Sequence, residues 1–126
     1  DDQLESITEV LSSGGNPSNK FSQLEHHWTF QVAAGSQVDL HVEGFRTNSA
    51  DGDDFVFEYS TNGESNWSAT GLPSLPTADP DADLSAALPA SLSGTVLIRV
   101  IDTNRTQGTQ DLDTVSIDEL FIRSIP

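Results

Sequence analysis

At 126 residues the chain is long enough for one two-layer core and too short for two. Twenty acids against five bases give a formal net charge of -15, which excludes nucleic acid and anionic membrane surfaces, since both would meet like charge. Cysteine and methionine are absent, and thiol redox chemistry, zinc–thiolate sites and disulfide staples are excluded with them.

No apolar run reaches membrane length, so no membrane insertion is expected. A chain opening Asp1-Asp2-Gln3 reads as a single module, residues 1–126, excised from a longer exported protein. Residues 4–11 are too few to separate a helical turn from a strand by periodicity, and the all-β context favours a strand. Residues 12–19 are a turn-rich loop punctuated by Gly14-Gly15-Asn16-Pro17.

Trp28, Phe30 and Val32 then alternate with Thr29 and Gln31, and Val38, Leu40 and Val42 alternate with Asp39, His41 and Glu43. Two alternating strands joined across Ala34-Gly35-Ser36 predict a hairpin. Phe55, Phe57 and Tyr59 share one face of the next strand, and Asn62-Gly63 offers a two-residue turn to a shorter strand around Trp67. Residues 71–83, with three prolines and three aspartates, are a loop. Leu84, Ala86 and Leu88 suit an edge strand. Residues 95–101 are apolar on both faces and suit a central one. In the final strand Val115 and Ile117 lie in one phase and Leu120 and Ile122 in the other, which predicts a β-bulge across Asp118-Glu119.

These elements predict an all-β, two-layer antiparallel sandwich, jelly-roll-like, with an immunoglobulin-like sandwich as the alternative. Strands are expected over 27–33, 37–45, 53–60, 94–101 and 113–123. The expected core is Trp28, Phe30, Leu40, Phe55, Phe57, Val96, Ile98, Val100, Val115 and Ile117.

Nine of the 13 aspartates fall in loops, and carboxylates crowded into a few loops repel one another without a counter-ion. Asp51-Gly52-Asp53-Asp54 and Asp111-Leu112-Asp113 each open a strand, and hard oxygen ligands of this kind suit Ca2+. The expected metal ligands are Asp53, Asp54 and Asp113, with Asp51 and Asp111 completing the shell. The bland reading of the same residues is a solubilising surface.

Other constellations are weaker. Neighbours on a strand point to opposite faces, so His26 and His27 cannot both hold one ion, although His27 and His41 could meet across the predicted hairpin. No nucleophile-elbow serine or HExxH pattern is present, so no catalytic residue is assigned. Trp67, beside Asn66 and beyond the Asn62-Gly63 turn, is the candidate stacking platform for a sugar, and its structural alternative is a cap on the end of the core. Arg99, Arg105 and Arg123 are expected to pair with acids near the acidic loops.

Three segments carry a resemblance. They are Leu24-Glu25-His26-His27-Trp28-Thr29-Phe30, then Asp51 to Thr61, then Gly94 to Thr106 followed by Leu112-Asp113-Thr114-Val115-x-Ile117-Asp118. Together, over about residues 21–125, they resemble an accessory β-sandwich module recurring near the C-termini of bacterial secreted hydrolases, including peptidases. More loosely, the chain is similar to jelly-roll carbohydrate-binding modules, whose last strand carries a like Ile-Asp pattern beside a structural calcium. The resemblance implies a secreted, non-catalytic role beside an attached catalytic domain in the parent chain. The expected function is thus a calcium-stabilised module binding polysaccharide or another cell-surface ligand. The alternative is a structural or protein-binding module with no carbohydrate site.

Overall fold

The structure is a computed structural model that describes residues 5–11, 22–47, 54–77, 83–103 and 113–125. Ten strands form along these residues: β1 (Glu5–Thr8), β2 (Val10–Leu11), β3 (Ser22–Gln23), β4 (Glu25–Val32), β5 (Gln37–Arg46), β6 (Phe55–Ser60), β7 (Ser68–Ala69), β8 (Asp83–Leu88), β9 (Gly94–Asp102) and β10 (Thr114–Ile125). Two four-stranded sheets run in the orders β1-β10-β5-β8 and β4-β9-β6-β7, all pairs antiparallel, and β2 and β3 form a small separate ribbon. Leaving that ribbon aside, the first strand lies beside the last and the second beside the penultimate, which is the order of a jelly roll.

Period-two alternation places the core. From the first sheet Val38, Leu40, Val42, Leu88, Val115 and Ile117 point inward, and from the second Phe55, Phe57, Val96, Ile98 and Val100 meet them, all buried. β9 is central in its sheet, as its two-sided apolar sequence predicts, and β8 is an edge. Trp28 and Phe30 were expected in the core and are half-buried instead, packed against its margin because β4 is an edge strand.

Two local expectations are corrected. β4 and β5 do not form a hairpin. β4 pairs with β9, β5 pairs with β10 and β8, and residues 33–36 carry the chain from one sheet to the other. There Gly35 lies against the backbone of Ile125, whose carbonyl accepts a hydrogen bond from Ser36 N–H at 2.7 Å. Asn62-Gly63 is not a two-residue turn either. The β6–β7 ladder closes at Tyr59↔Ser68, so residues 61–67 form the connection.

The bulge in β10 is where the phase switch places it. Ile117 pairs with Gly44 and Glu119 with Glu43, leaving Asp118 as the extra residue. Gly44 permits the strands to close there, since a Cβ on it would lie 2.5 Å from the Ser116 carbonyl oxygen.

Candidate functional site

The outer face of the β4-β9-β6-β7 sheet carries the side chains that the core does not claim. Register sets His27 opposite Arg99 and Arg99 opposite Glu58, so three polar residues stand in a row across three strands. Arg99 Nε and Nη2 both donate to Glu58 Oε1, at 2.8 and 2.6 Å, and Nη1 donates to Glu25 Oε2 at 3.2 Å. The fixed guanidinium supports Trp67, whose ring centroid is 4.4 Å from the guanidinium carbon.

Trp67 reaches this face because residues 61–67 fold back over the sheet. Ser60 Oγ donates to Asn62 Oδ1 at 2.9 Å and accepts from Glu64 N–H at 3.2 Å, while Asn62 Oδ1 accepts from Asn66 N–H at 3.0 Å. Gly63 and Glu64 both adopt positive φ, 68° and 77°, which turns the chain toward β4. Trp67 is half-buried and Asn66 exposed. One face of the indole lies against Arg99.

His27 closes the cluster. Its Nε2 lies 2.7 Å from Glu25 Oε2, its Nδ1 lies 3.3 Å from Glu64 Oε1, and its ring is 5.1 Å from Trp67. The His27 hydrogen bond holds the Glu25 carboxyl below the ordinary glutamate range, helped by the Arg99 charge and opposed by partial burial. Among the described residues no enclosed pocket opens.

The histidines do not gather. His41 projects from the opposite outer face, where Nδ1 lies 2.8 Å from Asp83 Oδ2 and the ring stacks on Phe121 at 4.7 Å. The expected meeting of His27 and His41 fails because their strands belong to different sheets. His26 packs edge-on against Trp28 at 4.7 Å and lies 3.2 Å from Glu5 Oε2.

Of the expected metal ligands, Asp51, Asp53 and Asp111 lie outside the described residues. Asp54 has a resident cation. Its Oδ1 is 3.3 Å from Arg46 Nε and accepts from Phe55 N–H at 2.7 Å, and Oδ2 accepts from Ser74 at 2.8 Å. Asp113 has a different environment at the start of β10. Glu9 N–H donates to its carbonyl at 2.8 Å, its own N–H donates to Glu9 Oε1 at 2.9 Å, and Thr47 donates to its Oδ1 at 3.0 Å. Glu9 and Asp113 are 1% and 5% exposed, so two carboxyl groups share one buried corner. Asp113 Oδ2 is buried there without a hydrogen-bond partner among the described residues. Among those same residues no three acidic or histidine side chains come together as a metal-holding group.

Sequence reasoning missed two participants. Glu9 lies in a segment too short for its period to assign faces. Arg99 was expected beside the acidic loops, and that place belongs to Arg46. Arg105 lies outside the described residues, and Arg123 makes no ion pair among them. Neither a protein-family model nor a curated protein matches the sequence.

Proposed function

We propose that the chain is a non-catalytic accessory module of an exported bacterial protein, and that it binds polysaccharide through the Trp67 face. The observation that carries this reading is the seating of half-buried Trp67 on Arg99 on the outer face of this sheet. A rigid indole gives a sugar ring an apolar plane at little entropic cost, and exposed Asn66 beside it supplies hydrogen-bonding groups. The acidic chain favours a neutral or cationic polysaccharide over a polyanion. Binding would hold the attached catalytic domain at its substrate surface.

Calcium is the proposed stabilising ion. Asp113 fits such a role, because a buried carboxylate oxygen without a partner, next to a second buried carboxyl group, is the kind of donor a hard cation satisfies. Glu9 joins Asp113 in this reading. Asp54 contributes less, since Arg46 already balances its charge.

Affinity electrophoresis through gels containing neutral polysaccharides tests the binding. Retardation of the wild type that is lost in Trp67→Ala is the expected result. The second reading, a structural or protein-binding module, is favoured by the half-buried state of Trp67. No retardation on any polysaccharide, together with a lowered melting temperature in Trp67→Ala, would leave that second reading in place.

A further inference from the structure

We propose that His27, when protonated, is the clasp that holds the 61–67 connection and its Trp67 against the sheet, so that the Trp67 face is set by pH. The two nitrogens of the ring face two different carboxylates, Glu25 at 2.7 Å and Glu64 at 3.3 Å. A neutral imidazole has one N–H and one lone pair, and it can donate to one of them alone. The shorter contact, to Glu25, takes that proton in the neutral form, which leaves the lone pair of Nδ1 turned toward the Glu64 carboxylate. The imidazolium keeps its hydrogen bond with Glu25 and adds a positive charge 3.3 Å from the Glu64 carboxylate. Glu64 is therefore the contact that protonation makes and deprotonation breaks.

Glu64 is also the residue whose backbone needs holding. It is the one non-glycine at positive φ among the described residues, a conformation a glutamate leaves readily when its side chain is released. Ser60 and Asn62 hold the backbone of the connection from within, and Arg99 holds the indole. His27 ties this unit to β4, through Glu64 and through the ring contact with Trp67, where the charged form adds a second cation beside the indole.

The charged groups around His27 act in one direction. Glu25 stands two residues before it on β4, Arg99 opposite it on β9, Glu58 beyond Arg99 on β6, and Glu64 in the connection. Three carboxylates face Arg99 and His27, and Arg99 is already bonded to Glu58 and Glu25. Loss of the His27 charge leaves Glu25 paired with Arg99 and takes from Glu64 the cation 3.3 Å from it. The Glu64 side chain is 55% exposed, so it has water to move into.

The consequence for binding rests on the polysaccharide reading, whereas the clasp does not, and the test is made without any polysaccharide. Backbone and indole N–H spectra of the full chain, followed from about pH 5 to pH 8, cover the range in which histidine titrates. The expected result is that Trp67 indole and Glu64 amide signals shift with the midpoint of the His27 ring carbons. The heteronuclear NOEs of amides 61–66 should fall over the same interval. In His27→Gln both responses should vanish, while the Trp28 indole, which packs on His26, keeps its own response and reports an intact fold. In Glu64→Gln the ring should still titrate without the loss of NOE. NOEs that stay constant through the wild-type titration, or that still fall in His27→Gln, would overturn the clasp. Failure of polysaccharide binding with the titration intact would overturn the platform alone.

Discussion

The guanidinium carbon of Arg99 lies 4.4 Å from the ring centroid of Trp67, and the same guanidinium gives two hydrogen bonds to one oxygen of Glu58. Planarity matters to both contacts, because a flat cation can stack on a ring while its edge donates within the plane. A lysine keeps the charge and loses the geometry. Arg99→Lys should destabilise the fold by roughly 1–2 kcal/mol, the sum of a weakened cation–π contact and a lost charged hydrogen bond. Denaturant unfolding of the two proteins measures it. A difference within error would mean that the stack contributes nothing and Trp67 is held by its own connection.

Much of this architecture is legible in the sequence, and the reason is periodicity. Phe55, Phe57, Val96, Ile98 and Val100 alternate cleanly, and all are buried where the alternation puts them. The β10 phase switch gives the bulge because a single inserted residue must exchange faces. Pairing is less legible. Residues 25–32 and 37–46 look like hairpin arms, yet alternation within a strand does not say which sheet it joins, and a short Gly link serves a sheet-to-sheet crossing as well as a turn. The Trp67 face illustrates the same limit. Trp67 itself stands out as an aromatic in a polar segment, whereas Arg99, Glu58 and His27 come from three strands and meet through register alone.

Phe57 is 3% exposed, facing Val100 across the ladder and stacked near Trp28 with centroids 6.3 Å apart. Phe57→Ala should cost about 3–5 kcal/mol, since the surrounding strands are paired on both sides and cannot collapse into the space. Urea unfolding gives the number. A loss below about 1 kcal/mol would place Phe57 at a pliable margin rather than in the core.

At Gly44 the expected change has the opposite cause. A methyl group would meet the Ser116 carbonyl oxygen at 2.5 Å and Ile117 Cδ1 at 3.1 Å, beside the bulge. Backbone held in a ladder cannot withdraw as a side chain can. Gly44→Ala should therefore destabilise by roughly 1–3 kcal/mol, although alanine in a strand is otherwise no worse than glycine. Unchanged stability would show that β5 and β10 slide apart there at no cost.

Glu25 links the Trp67 face to acid stability. Its carboxyl is held below the ordinary range chiefly by the His27 hydrogen bond, so the folded state favours the ionised form. A depressed carboxyl contributes stability that is complete above its unfolded value, about 4.3, and is lost as pH falls through the lower folded value. The wild type should therefore lose stability below about pH 4, and Glu25→Gln should lose less of it over that interval. Melting temperatures measured across this range in both proteins decide the matter. Parallel curves would remove Glu25 from the acid response.

Their surroundings separate two aspartates, Asp54 and Asp113, that the sequence treats alike as candidate calcium ligands. Asp54 and Asp113 each end an acidic cluster and each precede a strand, but Arg46 lies beside the first, while the second is buried with its backbone N–H bonded to the buried Glu9 carboxyl group. Each carboxylate accepts a hydrogen bond there, and the Asp113 Oδ2 atom, buried without a hydrogen-bond partner among the described residues, is the one a cation would satisfy. A bound cation stabilises the folded chain by mass action and leaves the unfolded chain unaffected. Millimolar calcium should thus raise the wild-type melting temperature relative to EDTA. Asp113→Asn and Glu9→Gln should abolish most of that rise, and Asp54→Asn should keep it. Sodium chloride at matched ionic strength is the control, because 20 acids against five bases give a general salt response that needs no site. A melting temperature that follows ionic strength alone, whichever cation supplies it, would leave Glu9 and Asp113 as a hydrogen-bonded structural corner with no metal to hold.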